Sequence, residues 1–300
     1  FWVGRGPDLM KLEDTFRKYR SFLPDKPTFL GVYLWDFGGK KPIALQLWSI
    51  NQLMWKEDPA KTFAKIREIG FDGVEFAGYG DRSAKEIRKL LADAGLRGMG
   101  THLCGDDQFS GDGLKKNLDF CAEAGIESMA SAWADYDAAE GWIKFGVLMG
   151  KAAETAQKWG IPVSVHNHCH EFTKKYDGVY AWDLIYKEAS PLLQQQLDTS
   201  QVVNPGLDCV ERIKKYHGRN FCIHMKENVP STWGFFGVPP SDGSKVVPWR
   251  ELVQTLKRDP SVRWYVIECA EKRDSFLPAE KNFNFLTLKP VIYIANLKDD

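Results

Sequence analysis

Four times between residues 68 and 165 the chain repeats one local pattern. A helix closes on a small or apolar residue, a glycine follows, and a strand begins at once. The segments are Glu68-Ile-Gly70-Phe-Asp-Gly-Val-Glu-Phe76, Asp93-Ala-Gly95-Leu-Arg-Gly-Met-Gly100, Glu123-Ala-Gly125-Ile-Glu-Ser-Met129 and Lys158-Trp-Gly160-Ile-Pro-Val-Ser-Val165. Glycine enters the left-handed conformation that ends a helix at little steric cost, so each segment marks a helix–strand junction. The helices between them are amphipathic, as in Ser83 to Ala94 and Ala138 to Trp159. Helix–strand alternation at this spacing demands a parallel sheet with right-handed crossovers. Further strands are expected at Leu193 to Asp198, Phe221 to Lys226 and Val262 to Glu268, with helices near Tyr180 to Glu188, Leu207 to Tyr216 and Trp249 to Arg258. Counted from a first strand at Ile43 to Ser49, the strands number eight, which closes an α/β barrel of the (β/α)8 type.

Two regions fit that frame poorly. Residues 1–41 read as an N-terminal extension outside the barrel proper, and 42–300 as the barrel domain. Within the extension, Asp8 to Phe22 has helical spacing behind a capping Asp, and Phe29 to Trp35 reads as an extra strand. At the other end, Phe283 to Asp300 mixes β-branched residues with Pro290 and shows poor helical periodicity. An eighth outer helix is therefore missing from the reading, and Asp8 to Phe22 is a candidate for its place. The segment Asn228 to Pro248, with Trp233-Gly-Phe-Phe-Gly237, is too long for an ordinary strand-to-helix loop. It suits a lid or specificity loop, or an oligomer contact.

Composition narrows the function class. Lys plus Arg and Asp plus Glu are both 40, so the formal charge is zero, and no basic tract is interleaved with aromatics. That argues against a nucleic-acid partner. No apolar run reaches membrane-spanning length, which argues against a membrane partner. Six scattered cysteines without a CxxC pair suit a reducing compartment, so a cytoplasmic location is expected. The first residue is Phe1 rather than Met, which is compatible with removal of a leader.

Polar and aromatic residues collect at one end of the strands. In a (β/α)8 barrel the C-terminal strand ends build the active site. Those ends carry Gln46 with Trp48, then Glu75, His102, Trp133, His166 with His168, Asp198, His224 with Lys226, and Glu268. Five of the six histidines lie at or just past strand ends; His217 is the exception. If the fifth strand runs on to His168, two-residue alternation puts His166 and His168 on one face. Asp198, His224 and Glu268 offer two carboxylates and an imidazole from three consecutive strands, a donor set for Mn²⁺, Mg²⁺, Co²⁺ or Zn²⁺. Each residue also has a plain structural role open to it. Glu75 could be a structural acid, Trp48 and Trp133 packed aromatics, Asp198 a helix cap, and the histidines a hydrogen-bonded core pair.

From about Lys41 to Glu271 the chain resembles the sugar phosphate isomerase/epimerase family of xylose isomerase-like TIM barrels. The stretches that carry the resemblance are Leu45-Gln-Leu-Trp-Ser49, Gly73-Val-Glu-Phe-Ala-Gly78, Gly100-Thr-His102, His166-Asn-His-Cys-His-Glu-Phe172, Leu197-Asp-Thr199, His224-Met-Lys-Glu227 and Val266-Ile-Glu268. The resemblance implies one divalent metal ion held by Asp198, His224 and Glu268. Many members supply a fourth ligand from a Glu on the fifth strand, where this chain has His-Asn-His. Either His166 takes that role or Glu171 reaches back, and Glu171 is preferred because a third acid neutralises the ion better. His168 becomes the expected catalytic base, since an imidazole titrates near working pH. Lys226 or His102 would donate a hydrogen bond to a developing oxyanion, and Glu268 counts with both ligands and catalytic residues. Trp48, Glu75, His102, Trp133, His166 and Trp233 are the expected contacts to a small-molecule carbohydrate.

The implied activity is sugar isomerisation or epimerisation of a carbohydrate or keto-sugar through an enediolate. The same enediolate would serve a lyase or dehydratase acting on 3-keto-glycosides or inososes. A non-catalytic sugar-binding barrel is the alternative from another class. The family's endonuclease branch fits less well, because it needs more ligands and a basic DNA-facing surface. Self-association is left open.

Overall fold

A computed structural model describes residues 41–55, 58–227, 246–269 and 275–287. Its centre is a closed barrel of eight parallel strands. They are β1 (Ile43–Gln46), β2 (Gly73–Phe76), β3 (Arg97–Leu103), β4 (Met129–Ser131), β5 (Val163–His166), β6 (Gln194–Asp198), β7 (Cys222–Met225) and β8 (Trp264–Ile267). Each strand pairs with its neighbour in sequence. β1 closes the circle by pairing with β8, Leu45 opposite Ile267, and with β2, Gln46 opposite Glu75. The outer helices are α1 (Pro59–Ile69), α2 (Ala84–Ala94), α3 (Gly111–Ala124), α4 (Ala139–Ala156), α5 (Ala181–Lys187), α6 (Cys209–Lys215), α7 (Trp249–Arg258) and α8 (Leu277–Leu286).

Three of the four junction glycines adopt the expected left-handed helical conformation, and Gly70, at φ 122° and ψ 4°, lies outside it. Gly95, Gly125 and Gly160 end their helices at φ 65°, 77° and 69°. At its start, α2 is closed by a reciprocal capping box between Ser83 and Glu86. α8 corrects the expectation of a missing eighth helix. It begins at Leu277, ahead of the segment judged aperiodic, and buries Ala279, Phe283 and Leu286 at helical spacing. Several strands are shorter than expected, and two of these bear on the site. β1 stops at Gln46 because its side chain accepts the Trp48 N–H at 3.0 Å, turning Leu47–Ile50 into a 3₁₀ turn. β5 stops at His166, so His168 lies beyond the ladder. The expected Asp8 to Phe22 helix, the Phe29 to Trp35 strand and Trp233 lie outside the described residues.

Strand alternation divides the side chains into two cores. Outward residues such as Leu45, Val74, Val165, Leu197 and Ile267 join the buried faces of the helices. Inside the barrel, Ala44, Met99, Cys222, Trp264 and Val266 form a separate apolar floor. Trp264 fits there because Gly73 carries no side chain: a Cβ would lie 2.9 Å from the indole. The next inward positions on the same strands are Gln46, His224 and Glu268. A polar tier therefore rests directly on an apolar plug, at the C-terminal end of the strands.

Candidate active site

The lowest part of the polar tier is organised around Glu75, which is completely buried on β2. Gln46 Nε2 and Gln196 Nε2 each donate to its carboxylate at 2.6 Å. With its amide so oriented, Gln196 turns Oε1 toward His102 Nε2 at 2.6 Å, which makes that ring nitrogen the donor. Burial alone would raise the Glu75 pKa, but His102 and His224 outweigh it and hold the carboxyl well below its ordinary range. His224, on β7, lies between two acids. Its Nδ1 is 2.9 Å from Glu268 Oε2, and its Nε2 is 2.8 Å from Glu75 Oε2 in a close ion pair without hydrogen-bond alignment. Burial opposes its charge, yet the two carboxylates push its pKa up to about 10.

Asp198 ends β6 and caps the short helix Thr199–Val203. Its Oδ1 accepts from the Ser200 N–H, the Ser200 hydroxyl and the Gln201 N–H at 2.9, 2.7 and 3.2 Å. Oδ2 is buried with no hydrogen-bond donor and lies 3.4 Å from Lys226 Nζ. Lys226 Nζ also donates to Glu268 Oε1 at 3.0 Å. Burial would lower the lysine's pKa, but Asp198 and Glu268 raise it overall; burial would raise that of Glu268, but Lys226 and His224 drive it well down.

His166 and His168 sit side by side with ring centroids 5.1 Å apart. His166 is buried, its Nδ1 has no partner, and its ring lies 4.6 Å from that of His224. Burial first, and then the neighbouring imidazoles, push its pKa well below the usual histidine value. His168 packs edge-on against Trp133 at 4.7 Å. Burial lowers its pKa to about 4 despite nearby Asp198 and Glu268, so at neutral pH it is an uncharged base rather than one poised near 7.

Four side chains converge with donor atoms of the kind that could hold a metal ion. The donor atoms of His166, Asp198, His224 and Glu268 all lie within 4.8 Å of one another, and those of His102, His166 and His224 form an overlapping group. Two imidazoles and two carboxylates suit a borderline divalent ion. Asp198 Oδ2, which has the Lys226 ammonium at 3.4 Å but no hydrogen bond, and the unpartnered His166 Nδ1 are buried acceptors of the kind an ion satisfies. The residues present therefore fit a divalent metal.

Residues 63–287 match the model of a family described as the xylose isomerase-like TIM barrel. The chain belongs to that family. Among solved structures it is similar to a sugar phosphate isomerase/epimerase from Parabacteroides distasonis ATCC 8503, with 21% identity and a TM-score of 0.68 over 84% of this chain and 96% of that one. An L-ribulose 3-epimerase gives 17% identity and a TM-score of 0.60, covering 83% and 94% of the two chains. The IOLI protein, whose structure has a bound zinc atom, gives 14% identity and a TM-score of 0.60, covering 82% and 95%. These likenesses establish the fold. No curated protein matches the chain in sequence.

In this xylose isomerase-like barrel, Asp198, His224 and Glu268 come together as expected, and the fourth member of the group is His166. Glu171, the preferred fourth ligand, lies outside that group. After His168 the chain turns into the short helix His170–Thr173, and Glu171 Oε2 accepts the His168 N–H at 2.8 Å. Oε2 thereby braces the loop while Oε1 is buried without a hydrogen-bond partner, and burial raises the pKa of the carboxyl to about 8. Glu75 is fully buried with both oxygens engaged by Gln46 and Gln196, and it lies beside His224. Trp48 and Trp133 are 47% and 51% exposed, so neither is the packed core aromatic of the alternative reading. Gln196 was not anticipated as a site residue. Alternation along Gln194-Gln-Gln-Leu-Asp198 puts it on the face of Asp198, a signal available in the sequence. Asn167, which accepts the Asp198 N–H at 2.7 Å, had no such signal.

The described residues contain no helix long and apolar enough to cross a membrane. The six cysteines are free thiols.

Proposed function

We propose that the protein is a divalent-metal-dependent isomerase or epimerase acting on a carbohydrate or keto-sugar through an enediolate. The observation that carries this reading is the His166, Asp198, His224 and Glu268 group with an uncharged imidazole, His168, beside it. His166, Asp198, His224 and Glu268 would hold the ion, which supplies Lewis-acid polarisation of a sugar carbonyl and a template for its neighbouring hydroxyl. For isomerisation His168 takes the proton α to that carbonyl and returns it to the neighbouring carbon on the same face, whereas epimerisation requires a second proton donor on the opposite face of the enediolate. Lys226 donates a hydrogen bond to the oxygen on which negative charge develops. Trp48 and Trp133, exposed at the mouth, provide apolar faces for the sugar ring. The likeness to a sugar phosphate isomerase/epimerase and to an L-ribulose 3-epimerase supports the same reading.

The test is a panel of ketoses, inososes and 3-keto-glycosides offered to the metal-loaded enzyme in deuterated water. An isomerase or epimerase incorporates deuterium at the α-carbon and returns a sugar of the same composition. Loss of a β-substituent would assign the lyase or dehydratase reading instead, and no exchange with any substrate would favour a binding protein. His168→Gln should lose about 10²–10⁴-fold in rate while its metal content, measured by plasma emission, stays at the wild-type level. Loss of metal in that variant would make His168 a ligand. Asp198→Ala and His224→Ala should remain folded by circular dichroism and retain no ion.

A further inference from the structure

We propose that Lys226 is a tethered counter-cation of the metal site, whose ammonium competes with the divalent ion for the same two carboxylate oxygens. The proposal rests on the metal-site reading above. Each acid of the site has one oxygen committed to the protein and one left over. Asp198 commits Oδ1 to three donors, Ser200 N, Ser200 Oγ and Gln201 N, and Oδ2 remains. Glu268 commits Oε2 to His224 Nδ1, and Oε1 remains. Those two remaining oxygens are the ones the ammonium takes, at 3.4 and 3.0 Å. The Lys226 side chain is only 11% exposed, so water does little to shield this contact.

The anchorage of the lysine makes it a tether. Its backbone N–H donates to Thr199 Oγ1 at 3.0 Å, and that hydroxyl lies 2.6 Å from the Lys226 carbonyl and 3.1 Å from that of His224. The backbone at the end of β7 is thus clamped to the first turn after β6. The four-carbon side chain is what can swing. Buried carboxylates are costly without a counter-charge, and the ammonium supplies one. A divalent ion that uses Asp198 must take Oδ2, and it then meets a unit positive charge at contact range. Metal binding therefore includes displacement of the ammonium, and the residue sets the affinity of the site below what its four ligands alone would give.

The experiment titrates Co²⁺ and Zn²⁺ into the full-length wild-type protein and its Lys226→Met, Lys226→Gln, Lys226→Arg and Asp198→Asn variants, with a competing chelator to fix the dissociation constants. Both neutral variants should bind at least about tenfold more tightly than wild type, while Lys226→Arg, which keeps the charge, stays near the wild-type value. Without added metal, Lys226→Met should melt below wild type, and saturating metal should close or reverse that gap. Equal or weaker binding in the two neutral variants overturns the proposal, as does tighter binding in Lys226→Arg of the same size. The Asp198→Asn protein separates the two levels of inference. Wild-type affinity in that variant would remove the metal site itself and the proposal with it. Loss of the ion there, with unchanged affinity in both neutral variants, would overturn the counter-cation role alone.

Discussion

Glu171 and His166 illustrate how nearby residues acquire different chemistry. Both are buried and both belong to one short motif, yet only His166 points a donor into the ligand group. Disturbing an outer-shell partner of a metal site typically costs about 10–100-fold in affinity, so His166→Gln should lose more than that by chelator competition. Glu171→Gln should lose less than about tenfold, and the opposite order would return the ligand role to Glu171. The acid's own signature is in stability. Its pKa is raised to about 8 in the fold by burial, against 4.5 for an ordinary glutamate. The folded state thus prefers the protonated form. The stabilisation this gives is complete below about pH 4.5 and is lost as pH rises through 8, by up to about 1.4 kcal/mol per pH unit. Denaturant midpoints of wild type and Glu171→Gln should nearly coincide at pH 4.5 and diverge by pH 9, with the variant the more stable. Parallel curves across that range would count against the assignment.

At the scale of single elements, β2 shows why some positions tolerate nothing larger. Gly73 opens the strand beneath Trp264 on β8, and a methyl there would meet the Arg97 carbonyl oxygen at 2.7 Å as well as the indole. One contact is backbone, so relief requires movement of β3. Gly73→Ala should cost about 1–3 kcal/mol in chemical denaturation, with the larger effect on site geometry, since Glu75 follows two residues later on the same strand. A cost under about 0.5 kcal/mol would show that the floor has slack not visible in its packing. α8 makes the complementary point. Its buried Ala279, Phe283 and Leu286 are spaced as a helix requires, and Pro278 sits in the first turn where a missing N–H costs nothing. The signal was present in the sequence, but a window opened at Phe283 cuts the helix in two.

For the molecule as a whole, the proposed ligands come from β5, β6 and β7 and from just past β8, and the β7–β8 ladder, with Val266 opposite His224, holds the last of these beside the rest. No ion-binding group of this kind exists in the unfolded chain, where residues 166 to 268 are independent. Metal binding and folding are therefore linked. Co²⁺ at about one hundred times its dissociation constant should raise stability by about 2.7 kcal/mol, read as an upward shift in Tm that grows with metal concentration. The Asp198→Ala protein should show no shift, and equal shifts in both proteins would place the ion elsewhere.

The barrel itself was legible in the sequence. Helix–glycine–strand junctions and helix–strand alternation are local signals, and four such junctions within a run of eight strands leave little choice of architecture. The strand boundaries put Asp198, His224 and Glu268 at C-terminal strand ends from the sequence alone. What the sequence could not rank was depth and reach. Glu75 and Asp198 are both acids at a strand's C-terminal end, but the pairing of Gln46 with Glu75 sets one beneath His224, while the cap of Thr199–Val203 turns the other's Oδ2 into the site. Likewise the choice of His166 over Glu171 depends on where β5 stops and the next helix turns, which is a matter of backbone direction rather than residue type. The approach of Lys226 to two acids from different strands is likewise set by the closed sheet, because alternation gives a side chain its face and only the tertiary fold gives it its neighbours across the barrel.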